Sequence, residues 1–171
     1  NTSNEWQVPV GYPHMEAVHY VWADPYRGRS VAESLGGNKK FSVADMTNLQ
    51  NYNLSIPARS LVPLLRDIPI SDAVAKKAAA RLLHWDFILD KDSVEAGVYE
   101  MFQRKLMENV KNTIVPAPAR SVLTPPMTRI VSSLTAPDGS YGADPIAGRN
   151  AVLVKSLEQA CADLTARLGA D

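Results

Sequence analysis

The chain has 171 residues, 46% of them hydrophobic, which suits one domain with a real core and is too short for a large multidomain enzyme. Eighteen basic side chains balance eighteen acidic ones, so overall charge gives no reason to expect nucleic acid or an anionic membrane surface as a partner. No apolar run approaches the roughly 20 residues needed to cross a bilayer. Cys161, the single cysteine, excludes an intramolecular disulfide and a cysteine-rich zinc site without separating cytosol from periplasm. The start at Asn1 rather than Met, with no charged-then-apolar leader, is expected to mark a processed chain or a piece of a longer gene product.

The opening stretch, Thr2 to Arg29, concentrates aromatic residues, histidine and proline, and its only strand tendency is at 7–10. Helices are expected after it. Ser42 followed by Asp45 predicts an N-cap with an acidic first turn, and Val43, Met46 and Leu49 recur at helical spacing. A second helix is expected after Ile56-Pro57, because proline is tolerated in a first turn, with Leu61, Leu64 and Leu65 inward. Ser71 is the expected cap of the next, whose stripe would be Val74, Ala78, Leu82 and Trp85. Asp92 and Glu95 have capping-box spacing, with Val94, Val98, Phe102 and Leu106 following. From Thr113 to Pro126 the prolines predict a connector. A short helix is expected over 127–134, then a turn-rich loop. The last helix should run from about Ile146 to Leu168, with Leu157, Cys161, Leu164 and Leu168 inward and Gly169 as its stop. The fold class expected for these residues is mainly α.

Chemical signatures are sparse. A glycine-rich phosphate loop, a GxSxG elbow and an HExxH motif are all missing from the sequence. His14 and His19 are five apart, which does not align them on one helix face, and His84 stands alone beside Trp85; each reads as structural or exposed. Trp6, Tyr12, Tyr20, Trp22 and Tyr26 read first as a packed core edge and second as a substrate pocket.

The order of the motifs is more informative. TSNE, then YPH, then WADPYRGRSVAESL resembles the penicillin acylase family, in which a small-residue pair before Asn is followed by Tyr-Pro, by Trp, and by an arginine opening a helix. SVADMTNLQNYNLSIPARSLVPLL, WDFILDKDSVEAGVYEMFQRKL and DPIAGRNAVLVKSLEQACADLTARLGAD resemble successive later segments, so the likeness spans nearly the whole chain. The family's enzymes are N-terminal nucleophile hydrolases. The resemblance implies a four-layer αββα sandwich in the full protein and a zymogen-like precursor that cuts itself. It also implies a terminal serine that attacks an acyl-amide carbonyl with its own amine as base.

On that resemblance Asn4 matches the oxyanion asparagine, a neutral donor aimed at charge that develops in the transition state. Without it, an Asn before prolines reads as a turn residue. Arg27 matches the arginine that supports the centre and self-processing, with Arg29 as the alternative; read alone, Arg27 is a helix ion pair with Asp24 or Glu33. Glu16 occupies a place similar to a structural calcium ligand in some members, but calcium takes about six to eight oxygens, so other ligands would come from elsewhere. No cofactor is implied for catalysis.

The resemblance begins at the oxyanion asparagine, so residues 1–171 are expected to form a single partial domain of the β-chain region. The serine nucleophile would lie upstream and a strand-rich region downstream. The expected partners are a small acyl-amide substrate of penicillin, cephalosporin or acyl-homoserine-lactone type, with the α-chain and the rest of the β-chain of the same precursor. A periplasmic or secreted location and a link to antibiotic biosynthesis are implied by the family alone. The isolated 171 residues are expected to be inactive. The rival expectation is a non-catalytic all-helical binding or scaffold module with a self-contained core. A metal enzyme built on the histidines ranks below both, since its ligands do not cluster.

Overall fold

The computed structural model describes residues 8–18 and 23–169, and among them the architecture is helical throughout. The helices are α1 (Met15–Val18), α2 (Tyr26–Leu35), α3 (Val43–Gln50), α4 (Ile56–Leu61), α5 (Ala73–Leu82), α6 (Val94–Ile114), α7 (Met127–Thr135) and α8 (Pro145–Leu168). Instead of a strand, the described part of 7–10 leads into a turn closed by the Tyr12 N–H on the Pro9 carbonyl at 3.2 Å, as expected where proline removes a ladder donor. Gln7 lies outside the described residues.

Local polar chemistry sets the helix starts. Ser42 is the N-cap of α3 as expected, and with Asp45 it forms a reciprocal capping box, each side chain taking the other's backbone N–H. On α5 the cap is Asp72, not Ser71: Asp72 has extended backbone and its Oδ1 accepts from Ala75 N at 2.7 Å. On α6 it is Ser93, not Asp92, whose Oγ accepts from Ala96 N at 3.1 Å, while Glu95 reaches Arg81 of α5. The buried stripes keep their expected middle and differ at the first turn. The inward face of α5 is Ala75, Ala78, Ala79 and Leu82, and that of α6 is Ala96, Tyr99, Phe102, Leu106 and Val110, so Ala78, Leu82, Phe102 and Leu106 are inward as expected. Val74 and Val94 are more than half exposed, contrary to the sequence expectation.

The longest helices, α6 and α8, are antiparallel neighbours. Asn109 Nδ2 donates to Ser156 Oγ at 3.0 Å and to Gln159 Oε1 at 2.8 Å, and Lys105 pairs with Asp163 at 2.8 Å, so rising numbers on one helix meet falling numbers on the other. Against this pair pack α5 and α7, with α4 on α7, and the buried cluster runs from Ala58 to Cys161. Leu61, Leu65, Leu157 and Cys161 are buried as expected, and Leu64 and Leu164 half-buried. Leu168 is exposed, because the last turn of α8 runs past the core, and Val43 and Met46 are exposed on α3. Helix α6 continues through Thr113 to Ile114, and Arg120 closes its end by donating to the Asn112 and Val115 carbonyls. Asp144 caps α8 one residue earlier than expected, and Gly169 ends it at φ 100°.

Candidate functional site

The residues singled out from sequence fall at the front of the chain, where the structure describes some and not others. Asn4, Trp6, His19, Tyr20 and Trp22 lie outside the described residues. Glu16 falls within α1, with its side chain outside the described part. Among the described residues no three His, Cys, Asp or Glu side chains converge to hold a metal ion, so any calcium site would need Glu16 together with ligands from elsewhere.

Arg27 is exposed in the first turn of α2. That helix is lightly anchored by packing. Only Gly28 is buried, and its N-cap, Pro25, contributes no side-chain hydrogen bond. Its ties are polar instead. The Asp24 carboxylate, just before the helix, accepts from Met127 N at 3.0 Å and Thr128 N at 3.2 Å, the first turn of α7. Toward the other end, Glu33 is bridged by Arg29 at 3.4 Å and by Arg59 of α4 at 2.6 Å. The two carboxylates expected to pair with Arg27 are thus engaged by α7 and by a second and third arginine. Arg59 was not a sequence candidate.

Asp24 makes a contact with the start of α7 that local sequence spacing does not point to. The signal was present at the far end: α7 follows Pro126, whose side chain makes no capping bond, so its first N–H groups need an outside acceptor. Tyr26, between Asp24 and Arg27, is half-buried; burial raises its pKa, the Asp24 charge adds to this, and Arg29 opposes it. Deeper in, Tyr99 stacks at 5.3 Å from Trp85 with its hydroxyl fully buried and without a hydrogen-bond partner. Ser55 lies near enough to pull its pKa down somewhat, but burial dominates and pushes it far up. No bond of normal geometry forms, so the hydroxyl is unsatisfied.

The remaining candidates behave as structural residues. His84 Nδ1 contacts the Ala80 carbonyl one turn back at 2.8 Å on the helix surface. Tyr12 is exposed and edge-on to His14 at 6.1 Å. Beside α2, a cleft of about 450 Å³ is lined by Lys39 and Arg59 and by Glu33 and Asp45, so its charges balance and it has no preference for an ion of either sign.

Two comparisons with known proteins bear on this geometry. The family model described as penicillin amidase matches residues 1–171, the entire chain. No curated protein matches it.

Proposed function

The chain belongs to the penicillin amidase family, a family of acylase-type amide hydrolases, and from that premise we propose that it supplies part of the centre that cleaves a linear amide bond. The whole-length family match is the observation that carries this reading, since it covers residues 1–171, the stretch in which Asn4, Glu16 and Arg27 lie.

In this reading a serine from outside these 171 residues attacks the acyl carbonyl, and carbonyl carbon goes from planar to tetrahedral as its oxygen takes up negative charge. The Asn4 amide donates to that oxygen. A neutral donor favours the charged transition state over the neutral ground state and does not bind a free carboxylate product tightly. Arg27, permanently charged, supports the asparagine and the self-cleavage that exposes the nucleophile. Substrates are acyl amides of penicillin, cephalosporin or acyl-homoserine-lactone type. Glu16 contributes one oxygen to a structural calcium that takes no part in the reaction. Export to the periplasm or beyond accompanies the assignment, and no described helix is long and apolar enough to span a membrane. The self-contained core of α4 to α8 is what a non-catalytic helical module would also require, but membership over all 171 residues favours the hydrolase.

The test is Asn4→Ala in the whole hydrolase, assayed on phenylacetyl, dicarboxylic and fatty-acyl amides. Loss of one oxyanion donor lowers kcat by about 10²–10³ with little change in KM. Full kcat on every amide that the unaltered enzyme cleaves would remove Asn4 from the centre.

A further inference from the structure

We propose that Asp24 is a positioning residue: by holding the first turn of α7, its carboxylate fixes the helix that carries Arg27. The inference rests on the reading of Arg27 as part of the hydrolase centre. It does not require Asp24 to touch substrate.

Helix α2 packs on α4 but buries little of itself. The helix has 10 residues and buries only Gly28. Isolated helices shorter than about 12–15 residues are marginal in water, so its position depends on its ties. The tie at its C-terminal half is the exposed Glu33–Arg59 pair, which Arg29 shares, and exposed pairs of this kind contribute little. The tie at its start is stronger in kind. Asp24 is half-buried and accepts two backbone N–H groups, and a carboxylate at a helix N-terminus is favoured by both hydrogen bonding and the dipole.

The anchor itself is firm. Ile130 and Leu134 of α7 are in the core, the Ser133 and Tyr141 hydroxyls bond at 3.0 Å, and Arg149 donates to the Leu134 carbonyl. Arg27 is three residues past Asp24, between the two ties. Releasing Asp24 removes the tie to α7 at the end of α2 on which the guanidinium sits, and a displacement of about 1 Å at a reacting centre can cost on the order of 10²-fold in rate.

A merely structural cap and a positioning tie are separable, because α7 can be capped from its own chain. Pro126 already has the extended backbone of an N-cap, φ −66° and ψ 160°, so Pro126→Asp places a local acceptor there without reconnecting α2. In the whole precursor, Asp24→Ala should lower both the melting temperature and kcat/KM, the latter by about 10- to 100-fold. Adding Pro126→Asp should return the melting temperature and leave kcat/KM low. Tyr141→Phe, which weakens α7 through its Ser133 bond and leaves Asp24 alone, should keep kcat/KM within about twofold of the unaltered enzyme. Precursor cleavage is followed in parallel, and a block there counts as loss of function. Where Asp24→Ala does not fold, Asp24→Asn takes its place in the same comparisons.

The proposal is overturned if the double variant regains turnover, or if the Asp24 variant is no more impaired than Tyr141→Phe. Should Pro126→Asp fail to restore stability, the comparison with Tyr141→Phe decides. Arg27→Ala separates the levels: full turnover in that variant refutes the reading of Arg27, whereas an inactive Arg27→Ala beside an active Asp24→Ala refutes only the positioning role.

Discussion

Two glycines inside helices should respond in opposite directions to the same added methyl group. At Gly148, in the first turns of α8, a Cβ would stand 1.9 Å from the Tyr141 carbonyl oxygen and 2.9 Å from its carbon, far inside the 3.0 Å that real Cβ contacts respect. The atoms it meets are backbone, so no side chain can swing away. Relief requires α8 to move off the 3-10 turn Gly139–Tyr141, which holds the hydroxyl bonded to Ser133. Overpacking costs about 1–3 kcal/mol, and a backbone clash belongs at the upper end of that range. Alanine recovers about 1 kcal/mol over glycine within a helix, leaving a net loss of about 2 kcal/mol. For a chain of this size that lowers the melting temperature by about 4–8 °C. Gly97 of α6 is exposed, and a Cβ there meets nothing within 4 Å, so only the helix gain applies. Gly97→Ala should raise the melting temperature by about 2–4 °C. Thermal unfolding followed by far-ultraviolet circular dichroism reads both. If Gly148→Ala melts at or above the unaltered protein, the close approach of α8 to the Tyr141 turn is wrong.

Tyr99→Phe removes a buried hydroxyl that has no partner, so denaturant unfolding should show stability unchanged or increased by about 1 kcal/mol, and a comparable loss would mean that the hydroxyl is bonded after all. The same residue gives a pH signature. Its folded pKa lies above the value near 10 of an unfolded tyrosine, so above pH 10 the unfolded chain releases its proton first and stability falls; Tyr26 and Tyr141 add in the same sense. Tyr99→Phe should flatten the decline between pH 10 and 12, and an unaltered slope would contradict the assignment. Asn109→Ala and Ser156→Ala should each cost about 1–3 kcal/mol, and their double-mutant cycle should show coupling of about 0.5 kcal/mol or more, since the two side chains bond at 3.0 Å; additive losses would break that link. For the proposed calcium, chelation of the whole hydrolase should lower its melting temperature and Glu16→Gln should reproduce the shift, whereas a melt indifferent to both would dismiss Glu16 as a ligand.

What could be read from the sequence depended on how far apart the interacting groups are. The N-cap of α3 was legible because Ser42 and Asp45 satisfy each other within one turn. The caps of α5 and α6 were placed one residue early, since Ser71-Asp72 and Asp92-Ser93 each offer two adjacent acceptors and only the backbone angles choose between them. The misses fall on the first turns: Val74 and Val94, expected inward, are exposed there, while Ala78, Leu82, Phe102 and Leu106 farther along are buried as expected. The long-range tie was harder still. Asp24 and Met127 are separated by 103 positions, and neither periodicity nor a local motif joins them.

The uncapped start of α7 offered the one clue, because a helix beginning after proline leaves N–H groups that must find acceptors somewhere. The candidate site divides along the same line. Asn4, Glu16 and Arg27 are proposed from the order of short motifs, and the family match covers residues 1–171 without assigning them roles. How α2 is tied to the rest was not available from motif order, because it depends on contacts between distant segments. Glu33 is bridged by Arg29 and by Arg59 of α4, and Asp24 accepts from the first turn of α7, so carboxylates near Arg27 in sequence link its helix to α4 and α7.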